Sequence, residues 1–153
     1  MTAAPRIAGI DPGKTGAIAI ISGPHVGVHD MPTVNGELNI EEILRIIRDA
    51  KPDMAVIERA ASRPGQGVRS VFTFGCVFGA LRAVVTCCEV PQHLVAPSAW
   101  KKHFKLGPDK EAARGLALRL WPGLGFFNRK KDHNRSEAAL IARYGVEVLW
   151  RNP

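Results

Sequence analysis

The chain has 153 residues, 46% of them hydrophobic and 23% charged, which supports one globular domain over 1–153 with enough length for a single substantial core. Its net charge of +7 favours an anionic partner, nucleic acid above all. Three cysteines, Cys76 and the vicinal pair Cys87-Cys88, are odd in number and lack Cys-x-x-Cys spacing, which fits reduced thiols better than a disulfide framework and speaks against zinc. They are expected to be reduced, core-filling thiols on one helix. No apolar run is expected to cross a bilayer, and Met1–Pro5 leads into a strand without a signal-peptide pattern, so the expectation is a cytoplasmic protein with no membrane partner.

Residues 6–11 read as a continuous apolar strand of the kind buried on both faces of a sheet. Pro12–Gly16 makes a tight turn and residues 17–21 return as a second strand. Ser22-Gly23-Pro24 turns again, and 26–31 alternates as a third, which gives an antiparallel meander. A helix begins at Leu38 or Asn39, with Ile40, Ile43, Leu44, Ile46 and Ile47 at helical spacing, and stops at Lys51-Pro52-Asp53. Met54–Glu58 is a fourth buried strand, and 61–67 is a loop of small residues. Val68 to about Glu89 is a long apolar helix whose Gly75 and Gly79 imply close packing against another element. Gln92–Ala96 is a fifth strand, and a short helix opens at Pro97-Ser98. Residues 109–121 form a further helix, 123–131 a loop, and 134–150 the last helix. A meander followed by alternating helices and strands gives an α/β fold: a mixed five-stranded sheet flanked by helices on both faces, its active edge where strands one and four end.

Four acidic residues stand out. Asp11 closes the apolar run Ile7–Ile10, Glu58 closes Met54–Ile57, and Asp132 and Glu137 bracket the start of Ala138–Ala142. Carboxylates converging at a sheet edge repel one another unless a divalent cation neutralises them. In a basic chain, that pattern points to metal-dependent cutting of a phosphate backbone. Plainer roles are also open: Asp11 starting a turn, Glu58 pairing with Arg59, and Glu137 forming a capping box with Asn134. His133, Asn134 and Glu137 can share one helical face, whereas Asp132 must lie just before the first turn to swing toward Glu137.

The motifs run in order through nearly the whole chain: Ile10-Asp11-Pro12-Gly13 with Thr15-Gly16; Ile57-Glu58-Arg59; Arg63–Gly67 leading into Phe72-x-Phe74-Gly75; Val95-x-Pro97-x-x-Trp100-Lys101-Lys102; Asp109–Ala113; and Lys131-Asp132-His133 through Glu137–Ala142. This series resembles the RuvC family of Holliday junction resolvases, within the ribonuclease-H-like superfamily, and especially its phage-encoded members. The resemblance implies a homodimer that cuts two strands of a four-way DNA junction symmetrically, leaving 5′ phosphates and 3′ hydroxyls. It implies Mg²⁺, with Mn²⁺ as a substitute, two ions per active site, and no organic cofactor. By motif position Asp11 and Glu58 carry over as metal-binding catalytic carboxylates, and Glu137 takes the place of the last acid. Bacterial members place another acid or a His three residues before it, where this chain has Asn134. Asp132 is the preferred replacement as ligand, with His133 its competitor as ligand or proton shuttle.

Basic residues cluster around these segments. Arg63, Arg69, Lys101, Lys102, Lys110, Lys130 and Lys131 are expected to contact phosphates and position DNA rather than read its bases. Phe72 and Phe74 could wedge into unstacked DNA, but their core role on an apolar helix is the better reading; Trp100 also reads as core, and His25, His29, His93 and His103 as surface or satisfied core residues. Three rivals remain at this stage. One is a related nuclease acting on forked, flapped or hybrid nucleic acid. Another is a catalytically silent DNA-binding member of the fold, against which the intact acids argue. The third is an actin- or sugar-kinase-like ATPase, whose phosphate-binding hairpin Asp11–Gly16 resembles, although no second copy of the domain is seen in these 153 residues.

Overall fold

A mixed five-stranded sheet organises the molecule, whose computed structural model describes residues 3–59 and 61–150. Strands β1 (Arg6–Asp11), β2 (Ala17–Ser22) and β3 (His25–Asp30) form the expected antiparallel meander. A small hairpin follows, β4 (Thr33–Val34) and β5 (Glu37–Leu38), which the sequence reading did not anticipate. Its turn is Asn35-Gly36, both at positive φ, the pairing that suits a tight hairpin turn. Helix α1 (Ile40–Ala50) begins at Asn39, whose side chain caps the backbone N–H of Glu42.

Strand β6 (Met54–Glu58) then runs parallel to β1, and β7 (Gln92–Val95) parallel to β6, so the order is β3-β2-β1-β6-β7. Between them lies α2 (Val68–Cys87). After β7 come α3 (Pro97–His103), α4 (Lys110–Leu120), a 3₁₀ turn (Lys130–Asp132) and α5 (His133–Tyr144), which continues into a π-helical turn (Gly145–Leu149). The last helix thus starts one residue earlier than expected.

Alternation along the strands sorts the core into two layers. Ala8, Ile10, Ile18, Ala55 and Ile57 face α1 and α2. Ile7, Ala19, Ile21, Met54 and Val56 face the other side, where α5, α4 and Trp100 pack. Helices therefore cover both faces. The approach of α5 to β1 is unusually close: a Cβ at Gly9 would lie 2.3 Å from the Ala138 carbonyl oxygen and 2.4 Å from the Ala142 nitrogen.

Helix α2 departs from expectation in four ways. Its 20 residues are long and apolar enough, by length and composition, to cross a membrane, contrary to the sequence expectation. One side nevertheless docks on the sheet through Val77, Leu81, Val84 and Val85. The other side is bare: Val68 is 87% and Phe72 72% exposed, so Phe72 is not a core residue. Cys76 and Cys87 are exposed and do not fill the core, whereas Cys88, half-buried just past the helix, packs against that core. Gly75 and Gly79 have open space where a Cβ would stand, so no neighbour among the described residues explains them. A helix that is apolar all round does not reveal from sequence which side will be buried.

Candidate active site

Three of the four acids meet at one rim of the sheet. Ile10 pairs with Ile57 across the parallel β1–β6 ladder, so the next positions, Asp11 and Glu58, end side by side on the α5 face. Glu137, in the second turn of α5, approaches the same place. Asp11 and Glu137 are both buried, and Glu137 stands close enough for its charge to act on the Asp11 carboxyl. Burial drives the Asp11 carboxyl well above the usual carboxylate range, and the charges of Glu137 and Glu58 push it further; Lys110 acts in the opposite sense. Burial also raises Glu58, with Glu137 adding to the effect, while the hydrogen bond from Trp100 and the charges of Lys101 and Arg63 pull it back.

Local structure explains this convergence. The turn after β1 is closed by the Gly16 N–H bonding to the Gly13 carbonyl at 3.0 Å. Asn134 Nδ2 donates to the Thr15 carbonyl at 2.6 Å and ties that turn to the first turn of α5. Asn134 therefore does not cap the helix, and the plainer alternative of a box with Glu137 does not form, because the helix already runs at His133. Arg135 clamps the same helix to the end of β3 through two 2.7 Å bonds to Asp30.

Asp132 does not join the cluster, which corrects the expectation that it replaces the missing acid. It is only 2% exposed and held by Arg129, whose backbone N–H, Nε and Nη2 donate to it at 2.8, 3.0 and 2.8 Å, with Arg135 3.8 Å away. Burial would raise its carboxyl, but the Arg129 bonds and the two guanidinium charges outweigh it and hold the group below its ordinary value. The Asp132 carboxylate closes the 3₁₀ turn that launches α5. Asp132→Ala leaves the Arg129 backbone N–H without its acceptor, and is expected to destabilise the fold by about 1–3 kcal/mol while sparing chemistry per folded molecule. Thermal melting together with the single-turnover cleavage rate checks this.

His133 opens α5 half-buried, and its charge acts on Glu111 at the start of α4. Among the basic candidates, Lys101 and Arg63 act on Glu58, and Lys110 on Asp11. Arg69 lines a cleft with Pro12–Thr15, Ser70 and Phe74, and Arg63 lines the neighbouring one with Glu58 and Phe74. Lys102, Lys130 and Lys131 are exposed, and the charge of Lys130 acts on Glu111 rather than on the acids. Trp100 is buried as expected, but its bond to Glu58 was not foreseen; Pro97-x-x-Trp100 directly after a strand was the available signal.

The donors at the rim are all oxygen, the set that suits Mg²⁺. Among the described residues, no three carboxylate, imidazole or thiol groups close into a compact cage. The acids interact electrically without being drawn onto one point. A cation that keeps several waters and takes phosphate oxygens from its substrate needs only one or two direct carboxylates, so this arrangement fits it.

No protein-family profile matches the chain, and no curated protein matches it in sequence. Solved structures do. RuvC of Thermus thermophilus in complex with a Holliday junction substrate superposes with a TM-score of 0.67 at 18% identity, over 92% of this chain and 93% of that one. A second Thermus thermophilus RuvC structure gives 0.63 at 19% identity, over 92% and 94%. The yeast mitochondrial Holliday junction resolvase gives 0.58 at 14% identity, over 95% and 79%. Similarity over nearly the full length at such low identity is a statement about architecture: the chain has a ribonuclease-H-like α/β fold.

Proposed function

We propose that this chain is a metal-dependent, structure-selective endonuclease that resolves four-way DNA junctions by paired nicks. The observation that carries the reading is the meeting of Asp11, Glu58 and Glu137 at one sheet rim, with Lys110, Lys101 and Arg63 acting on them. The likeness to RuvC bound to a Holliday junction substrate supports the choice of branched DNA. Asp11, Glu58 and Glu137 hold Mg²⁺ or Mn²⁺, two ions in the full site, with Asp132 and His133 outside the ligand set. The chemistry such a metal would supply there is activation of a water and charge stabilisation at the departing 3′ oxygen. The protein's own part is to fix the carboxylates on rigid strand ends and one helix, and to draw the phosphates in. Arg63, Arg69, Lys101 and Lys110 border the acids or their clefts and anchor the DNA backbone, while Lys102, Lys130 and Lys131 extend the basic surface. The test uses labelled four-way, forked and linear duplex DNA with Mg²⁺, Mn²⁺ or EDTA. Paired, metal-dependent nicks confined to the junction support the proposal. Equal cutting of every substrate points to a broader nuclease, and no cutting at all sinks it.

Two symmetric nicks require two sites, and the bare side of α2 supports a homodimer. Val68, Phe72, Gly75, Cys76 and Gly79 follow helical spacing along a helix about 30 Å long. A self-complementary apolar stripe with small residues at its middle suits an isologous contact across a two-fold axis. Phe72→Asp is expected to convert a dimer into a folded monomer in light scattering, and to abolish paired nicking. A wild-type monomer under cleavage conditions overturns this assembly.

A further inference from the structure

Among the described residues, Glu58 accepts a side-chain hydrogen bond from an indole. Strand β7 brings Val95 opposite Glu58 in the parallel ladder, and the Arg59 N–H donates to the Val95 carbonyl at 2.7 Å. Helix α3 starts two residues later with Pro97 at its first turn, which turns Trp100 back under the sheet edge. There the ring is fully buried in the core layer on the α4 and α5 side of the sheet, and Nε1 donates to Glu58 Oε2 at 2.7 Å. A buried indole N–H needs an acceptor, and this one has a carboxylate at the rim of the sheet.

The chemistry of indole makes the pairing specific. Trp has one donor and no acceptor, so it cannot compete for a cation and cannot give up its proton to the carboxylate. A lysine or arginine at the same place would cancel the charge that a cation needs. The indole leaves the charge intact and fixes its direction: Oε2 is held by Trp100, and Oε1 is the oxygen not committed to that bond. Close packing sets the ring plane, so the carboxylate inherits the rigidity of the core. Lys101 adds to the arrangement, its ammonium lying 5.5 Å from the centre of the Trp100 ring.

We propose that Trp100 is a positioning residue for Glu58, orienting its carboxylate so that one oxygen faces the cation. The assignment rests on the metal-dependent reading above. Partners that orient metal ligands typically matter by about 10–100-fold in metal affinity. Trp100→Phe keeps the buried ring and removes the N–H. It is expected to weaken Mn²⁺ binding about tenfold, measured by electron paramagnetic resonance on the full chain without DNA, and to raise by a similar factor the Mg²⁺ needed for half-maximal junction cleavage. Junction binding in EDTA is unchanged. Because a buried Trp change can harm folding, the wild-type protein supplies a second readout. In a ¹H–¹⁵N spectrum the Trp100 indole resonance shifts on Mg²⁺ addition and in Glu58→Gln, while that of Trp121 stays. A folded Trp100→Phe protein with wild-type Mn²⁺ affinity, or an indole resonance blind to Mg²⁺ while Glu58→Gln abolishes metal binding, overturns the role of Trp100. If the wild type binds no Mn²⁺, and Glu58→Gln changes nothing, the metal-dependent reading fails and this inference goes with it.

Discussion

Asp11→Asn is expected to cut junction cleavage by about 10³-fold or more and, in the absence of metal, to raise the melting temperature. Both effects have one cause. Asp11 is buried beside Glu137 and Glu58, so its ionised form is costly in the folded protein without a cation. Its folded pKa is raised, whereas in the unfolded chain the group titrates near the usual value of about 3.9. Between those two values the folded protein holds more protons than the unfolded one. Stability therefore falls as pH rises through that window and stays reduced above it. Asparagine removes the charge and with it most of the decline; Glu58, raised in the same direction, leaves a smaller one. Mg²⁺ stabilises the wild type by binding the folded state and should stabilise the variant much less. The measurements are melting curves from about pH 4 to 8 with and without Mg²⁺, and single-turnover cleavage. A variant that cleaves within tenfold of wild type, or melts lower at neutral pH without metal, defeats the argument.

The contrast between Asp11 and Asp132 shows what the sequence can disclose. Asp11 and Glu58 were legible because each ends a strand that is apolar throughout, and strands buried in a parallel pair have few ways to align. Glu137 was legible because it precedes five buried apolar residues of α5. The role of Asp132 was not, because it depends on the path of the loop before α5, which places Arg129 over its carboxylate. Nothing in the spacing of charges separates a metal ligand from an ion-paired turn residue. The surface of α2 was hidden for a different reason: apolar periodicity marks a buried side only when the opposite side is polar. The hairpin over 33–38 carried a clear Asn-Gly signal, but two-residue strands fall below the length at which alternation can be read.

Gly9 is the residue whose substitution should disturb fold and chemistry together, although it carries no functional group. It lies in the middle of β1, where glycine normally weakens a strand, and its φ is not what requires it. The requirement is space. An added Cβ meets the Ala138 carbonyl oxygen at 2.3 Å, the Ala142 nitrogen at 2.4 Å and the Ala142 Cβ at 2.7 Å. Two of these three atoms are backbone, so no rotamer change relieves the contact, and α5 must move away from β1. Overpacking of this kind costs about 3 kcal/mol or more, which in a chain of this size corresponds to a fall of about 6–12 °C in Tm. The same displacement reaches the rim, because Glu137 immediately precedes Ala138 and Asp11 lies two residues beyond Gly9. Gly9→Ala is therefore expected to slow cleavage at temperatures where it is still folded, and to raise the Mg²⁺ requirement as the acids separate. Adding Ala142→Gly removes one contact of the three and should restore little, which distinguishes backbone collision from a side-chain misfit. A Gly9→Ala protein that melts within 2 °C of the wild type, or full rescue by Ala142→Gly, contradicts the view that this close approach of helix to strand brings Asp11 and Glu137 together.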